Sequence, residues 1–265
     1  MFQPTRRTRS LAAPLFASLA LTLGAPVAAA QGIPCPVSHA QLESMLTAVV
    51  TDGHNAGLSN NMWASIVDRD GVVCNVARSA ALGNQWPGSR VISAQKAYTA
   101  NAFSLPNGAG AGVGGTDIAL SSGNLYGTVL QGGALFGLQF SNPVNAEAAY
   151  KGPVSHFGSF SDPMKGRIVG GINVFGGGLA LYDAAGHLVG ALGVSGDTSC
   201  TDHVVAWRVR DALGLDHVPG GISASGDDNL VIATPVTAGA FEHPDCGGGV
   251  SGIIADLPLN FPIGP

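Results

Sequence analysis

Apolar positions along the chain fall into short periodic runs separated by stretches rich in glycine and proline. In residues 37–54, Leu42, Met45, Leu46 and Val49 recur at three- and four-residue steps, the spacing of one helix face. Ser38, with Gln41 three residues later, is a capping pair for its start. Residues 62–68 alternate as a strand does, Arg69-Asp70-Gly71 signals a tight turn, and residues 72–77 return as a second strand. Helical spacing resumes over 89–103, with Ile92, Ala97, Ala100 and Phe103 on the inner face and Leu105-Pro106 closing it.

Residues 107–165 hold no sustained period, only glycine-rich loops, a short helix predicted near 116–126, and turns at Pro143 and Pro153. Three strands are predicted at 168–174, 178–182 and 188–194, with Asp183-Ala184-Ala185-Gly186 turning between the last two. Thr201 reads as the cap of a helix carrying Val204, Val205, Trp207, Val209 and Leu213, with Gly214 past its end. Residues 217–265 read as mostly irregular. Strands joined in sequence by short turns predict an α+β domain: an antiparallel sheet of about five strands with helices packed on one face.

The first thirty residues follow a different pattern. Arg6, Arg7 and Arg9 precede an apolar run over 11–27, and Ala28-Ala29-Ala30 supplies small residues before Gln31. This order predicts a signal peptide cleaved near Ala30, and so a periplasmic or secreted protein. Pro14, Gly24 and Pro26 interrupt the run, which argues against a permanent anchor. Arg6-Arg7 is shared with twin-arginine signals, although Arg9 and Ser10 stand where those carry apolar residues. Removing this segment leaves 9 basic against 17 acidic residues, a balance with no general attraction for nucleic acid or anionic lipid. The predicted organisation is a signal peptide (1–30), one domain (31–216) with a long insert (106–166), and a Gly/Pro-rich extension (217–265).

Cys35, Cys74, Cys200 and Cys246 make an even count in an exported chain, which favours two disulfides. Of the three pairings, Cys35–Cys74 and Cys200–Cys246 is preferred because each pins a terminal segment to the domain body. A metal site is the rival reading, and the chain has neither a CxxC pair nor a Cys/His cluster at the familiar zinc spacings.

Three stretches resemble a known family: IVDRDGVV (66–73) followed by Arg78, SAQKAYTA (93–100), and GGGLALYDAAG (176–186) running into VGALGVSG (189–196) and Asp202. In this order they resemble the GlcG/HbpS haem-binding family, over about residues 37–214 apart from the insert. The resemblance implies a profilin-like fold, a domain that is often oligomeric, and non-covalent binding of haem or a related tetrapyrrole. It directs attention to Lys96, Thr99, Gly177, Ser195, Gly196 and Asp202 as residues around the ligand.

Each of these has a plain structural alternative. Gly176-Gly177-Gly178 and Ser195-Gly196 allow close backbone approach, to a ligand or merely to a packed helix. Lys96 suits a haem propionate or an ion pair with Asp202. An iron porphyrin also needs an axial ligand. Of seven histidines, His54 at the end of the first helix and His203 at the start of the last are the candidates, with Met164 and Tyr98 behind them. His187 reads as a solvated turn residue. No CxxCH supports covalent attachment. GAGVGG (110–115) matches GxGxxG but lacks the preceding strand. Gly193-Val194-Ser195-Gly196-Asp197 departs from the nucleophile elbow at Asp197. The leading expectation is an exported haem-binding protein for storage, scavenging or sensing. A module binding another small ligand, and a hydrolase or haem degrader, are the alternatives.

Overall fold

The computed structural model describes residues 34–106 and 118–264. The signal-peptide reading of residues 1–30 and the GxGxxG match lie outside them. Among the described residues no helix is long and apolar enough to cross a membrane.

Helix α1 (His39–Asp52) starts on the Ser38/Gln41 capping box and ends at Gly53, whose φ of 75° suits glycine. Strands β1 (Trp63–Asp68) and β2 (Val73–Arg78) form the predicted hairpin, and α2 spans Ser89–Phe103. The described part of the insert holds three 3-10 turns and the short helices α3 (Leu138–Ser141) and α4 (Ala146–Tyr150). Strands β3 (Gly178–Tyr182) and β4 (Leu188–Ser195) lead into α5 (Ser199–Ala212). The tail adds a two-residue parallel pair, β5 (Ile232–Ala233) with β6 (His243–Pro244), and helix α6 (Val250–Asn260).

The main sheet has four strands in the order β2-β1-β4-β3, all antiparallel. The fifth predicted strand is corrected: residues 168–174 form no strand, Gly170 and Gly171 turn the backbone with φ of 63° and 80°, and only isolated bridges form there, Arg167 to Val73 and Gly170 to Val144. A second correction concerns the layers. Strand residues Ala64, Ile66, Leu192 and Val194 pack with Leu42 and Leu46 of α1 and Val204 and Trp207 of α5. Their neighbours Trp63, Val67 and Ala191 pack with Val91, Ala94 and Ala97 of α2. Every residue of β1 is buried, so both sheet faces are covered and the architecture is three-layered. Two further boundaries move. Helix α5 is capped by Thr198, whose side chain accepts from the Thr201 amide, and the tail contributes α6 to the core through Val250, Ile254 and Leu257.

Glycine in β3 and β4 is required by the closeness of α2. A Cβ on Gly193 would stand 1.9 Å from the Ser93 carbonyl oxygen and 2.5 Å from the Ala97 nitrogen, and one on Gly178 would meet the Lys96 carbonyl oxygen at 2.3 Å. The helix therefore rests directly on strand backbone. Both predicted disulfides, Cys35–Cys74 and Cys200–Cys246, are present.

Candidate functional site

The close contact of α2 with β4 brings Lys96 beneath the start of α5. Its Nζ donates to Asp202 Oδ2 at 2.6 Å and to the Val194 carbonyl at 3.2 Å. Asp202 Oδ1 accepts from the Gly196 and Asp197 amides at 3.0 and 2.8 Å. Burial pushes the Asp202 carboxyl up to about 6 and pulls the Lys96 ammonium down, and each charge draws the other back. Asp197 is saturated too, accepting from the amides of Leu58, Asn60 and Thr198. One carboxylate thus fixes the β4–α5 turn and the other fixes the loop before β1.

Above this pair lies a cleft of about 280 Å³. Trp86 and Phe175, 50% and 45% exposed, flank its mouth with Ile92, and Ser89, Ser195 and Ser199 line it. The glycines beside it face protein. A Cβ on Gly177 would lie 2.5 Å from the Val194 oxygen and 3.0 Å from the Asp202 Cβ, and one on Gly196 would lie 2.7 Å from the Asn61 oxygen. Thr99 is elsewhere: its hydroxyl donates to Gln95 O and accepts from the Asn173 amide, inside the protein.

His203 requires a correction. It lies on the inner side of α5, fully buried, with Nε2 on Asn229 Oδ1 at 3.1 Å and its ring 6.1 Å from Trp207. It is not among the residues lining the cleft, its Nε2 is taken up by Asn229, and it makes no hydrogen bond to Ser195. Burial, reinforced by the Arg210 guanidinium, pulls it down to about 3, and burial holds His243 at about 4. Unfolded rings take a proton near pH 6.5 while these native rings do not. Stability is therefore lost as pH falls below ~6.5, by up to ~1.4 kcal/mol per pH unit for each ring. Asp202 opposes one ring's share between about pH 6 and 3.8, because its native carboxyl is protonated first. His203→Gln should flatten the urea-unfolding free energy between pH 6 and 4 by ~1.4 kcal/mol per pH unit against the unsubstituted protein. Parallel curves would contradict this assignment.

His54 has the opposite setting. Just past the C-cap of α1, its side chain is 83% exposed, with Nδ1 3.1 Å from Asp52 Oδ2. It borders a groove of about 660 Å³ between the end of α1, α5 and α6, walled by Ile253, Leu257 and Phe261. Arg208 lines the same groove, bound to Asp52 and to Asn55 Oδ1, with its guanidinium 5.2 Å over the Phe261 ring. That guanidinium, with His54 behind it, holds the Asp52 carboxyl below its usual range.

Residues 37–210 match the family model of the haem degrading protein HbpS-like. The chain belongs to this family. Among solved structures it is similar to Klebsiella pneumoniae protein ORFY, at 22% identity over 67% of this chain and 90% of that one, TM-score 0.43. It is similar also to PduOC in a haem complex (22%, 65% and 89%, 0.42) and to a double mutant of Streptomyces reticuli HbpS (18%, 72% and 98%, 0.42). No curated protein sequence matches the chain. The HbpS-like segment carries His54, Arg208 and the whole cleft, whereas Ile253, Leu257 and Phe261 lie in the tail beyond it.

Sequence reasoning named Lys96, Ser195, Asp202 and His54, and the structure sets the first three at the cleft and His54 in the separate groove. Arg208, Trp86 and Phe175 were missed. No local spacing marks them, because each acquires its neighbours only through tertiary packing.

Proposed function

We propose that this chain is an exported protein that binds haem non-covalently in the groove beside His54. The observation that carries the reading is the groove itself, where an accessible imidazole, a guanidinium and three apolar side chains line one concavity of about 660 Å³. That volume is in the usual range for small-molecule sites, whereas the 280 Å³ cleft falls just below it. The chemistry of the donor set fits. A porphyrin needs an axial nitrogen, cover for its apolar faces and cations for its propionates. His54 supplies the nitrogen, Ile253, Leu257 and Phe261 the cover, and Arg208 the cation. Asp52, against Nδ1, orients the imidazole as carboxylates commonly orient ligating histidines. Membership of the HbpS-like family supports haem over other flat ligands.

Titration of the purified protein with hemin tests this. The expected result is a saturable Soret shift at one haem per chain, weakened at least tenfold in His54→Ala and unchanged in His203→Ala. A shift that survives His54→Ala at full affinity would sink His54 as ligand, and no shift at all would sink the function. The export half is checked by the mass of protein recovered outside the cytoplasm, expected to begin at Gln31.

A second reading rests on the cleft. Ser89 and Ser195 line it as mostly buried residues whose hydroxyls make no hydrogen bond among the described residues, which suits a ligand smaller than a tetrapyrrole. A thermal-shift screen with small organic acids separates the readings, since a ligand of the native state alone raises its apparent stability.

A further inference from the structure

We propose that Cys200, His243 and Cys246 form a zinc-binding site when the Cys200–Cys246 disulfide is reduced. The three ligand atoms lie within 4.8 Å of one another. Around a tetrahedral zinc ion, bond lengths of ~2.3 Å to sulfur and ~2.0–2.1 Å to nitrogen put sulfur and nitrogen ~3.6 Å apart and two sulfurs ~3.8 Å apart. Cys200 Sγ is already 3.8 Å from His243 Nδ1. Once the disulfide is opened, rotation of the two cysteine side chains brings the sulfurs to zinc spacing with the Cα atoms still 6.0 Å apart.

An oxygen stands ready for the fourth position. The Pro244 carbonyl accepts from His243 Nδ1–H at 2.8 Å and lies 3.6 Å from Cys200 Sγ and 4.0 Å from Cys246 Sγ; a metal on Nδ1 replaces that hydrogen bond as the ring proton moves to Nε2. The imidazole is also held from behind. Nε2 meets Ser199 Oγ at 2.9 Å, so with a metal on Nδ1 the Nε2–H donates to that hydroxyl, a usual outer-shell arrangement. Ser199 lines the cleft, which places the metal one hydrogen bond from it.

The arrangement does not depend on the disulfide alone. The His243 amide donates to the Val231 carbonyl at 2.8 Å, β5 pairs with β6, and the His243 ring lies 5.6 Å from that of Tyr126. These contacts keep the imidazole beside Cys200 after reduction. Two of the three ligands, in His243-Pro244-Asp245-Cys246, lie beyond the residues that match the family, so the site belongs to this chain's tail.

The chemistry balances with a dithiol as reductant. It passes two electrons and two protons to the S–S bond, leaving two thiols and becoming a disulfide itself. The zinc ion then displaces both thiol protons and binds two thiolates and a neutral imidazole. The tail remains tied to α5, through a metal instead of a covalent bond.

The test compares reduced and oxidised protein in a cobalt titration followed by zinc back-titration. Reduced protein should take up one Co²⁺ per chain with thiolate charge-transfer absorption, bleached when Zn²⁺ displaces it. Oxidised protein should take up none. Reduced His243→Ala should bind at least tenfold more weakly, while a Cys35→Ser/Cys74→Ser variant should bind as the unsubstituted chain does. Circular dichroism of the same samples reads the fold. No stoichiometric uptake by reduced protein, uptake indifferent to His243→Ala, or a fold lost on reduction that zinc does not restore would each overturn the proposal.

Discussion

Lys96→Met is expected to lower the stability of the folded protein by about 3–5 kcal/mol, read as an earlier urea midpoint at unchanged slope. Both side chains of the Lys96–Asp202 pair are almost wholly enclosed. Methionine fills the space of the lysine stem but removes the ammonium. Asp202 then keeps the Gly196 and Asp197 amides and loses its cation, leaving an uncompensated buried carboxylate. The double variant Lys96→Met/Asp202→Asn should recover most of the loss, since the asparagine oxygen still accepts from both amides and no buried charge remains. A single variant as stable as the unsubstituted protein would mean that the pair does not hold the β4–α5 turn.

The second large effect is expected at Arg210. Its two terminal nitrogens donate to the two Asp228 oxygens at 2.7 Å each, and Nη1 also reaches the Ala180 carbonyl at 3.1 Å. Both side chains are fully buried, and the guanidinium lies 4.9 Å over the Trp207 ring. Arg210→Met strands the Asp228 carboxylate in the interior, again at a cost of about 3–5 kcal/mol. This pair joins α5 and β3 to the tail, so the damage should begin there. Limited proteolysis should cut the variant first within residues 217–233, at denaturant concentrations where the unsubstituted protein stays whole. Cleavage first in the insert would contradict that role.

Much of the fold was legible because its signals are local. The β1–β2 hairpin and α2 announce themselves by period and turn chemistry within fifteen residues. The misreadings have tertiary causes. Within residues 168–174, Val169, Ile172 and Val174 are apolar because the insert and α2 bury them, yet the segment pairs only through single bridges. Helix α6 hides its period behind Gly252 and Pro258. Thr198 and Thr201 are both competent caps, and the Asp197 carboxylate on the Thr198 amide favours the earlier start. The two-sided cover of the sheet shows in the unbroken burial of β1 and β3, which alternation in sequence only half suggested.

The site was legible in pieces. Lys96 and Asp202 could be matched from the sequence, because a lysine among small residues needs a counter-charge. His203 misled because a helix start in sequence does not reveal which side of the helix is buried. His54 and Arg208 are 154 positions apart, and only the packing of α1 against α5 brings them to one groove with Asp52. The glycines near the cleft proved to serve helix packing and the Asp202 turn.

Amide hydrogen exchange with and without hemin reads where on the protein haem sits. Added protection is expected at residues 52–56 and 250–261, around His54 and along α6, with the cleft segments 86–96 and 195–202 unchanged. Protection confined to the cleft, with the His54 groove exchanging as freely as before, would contradict it.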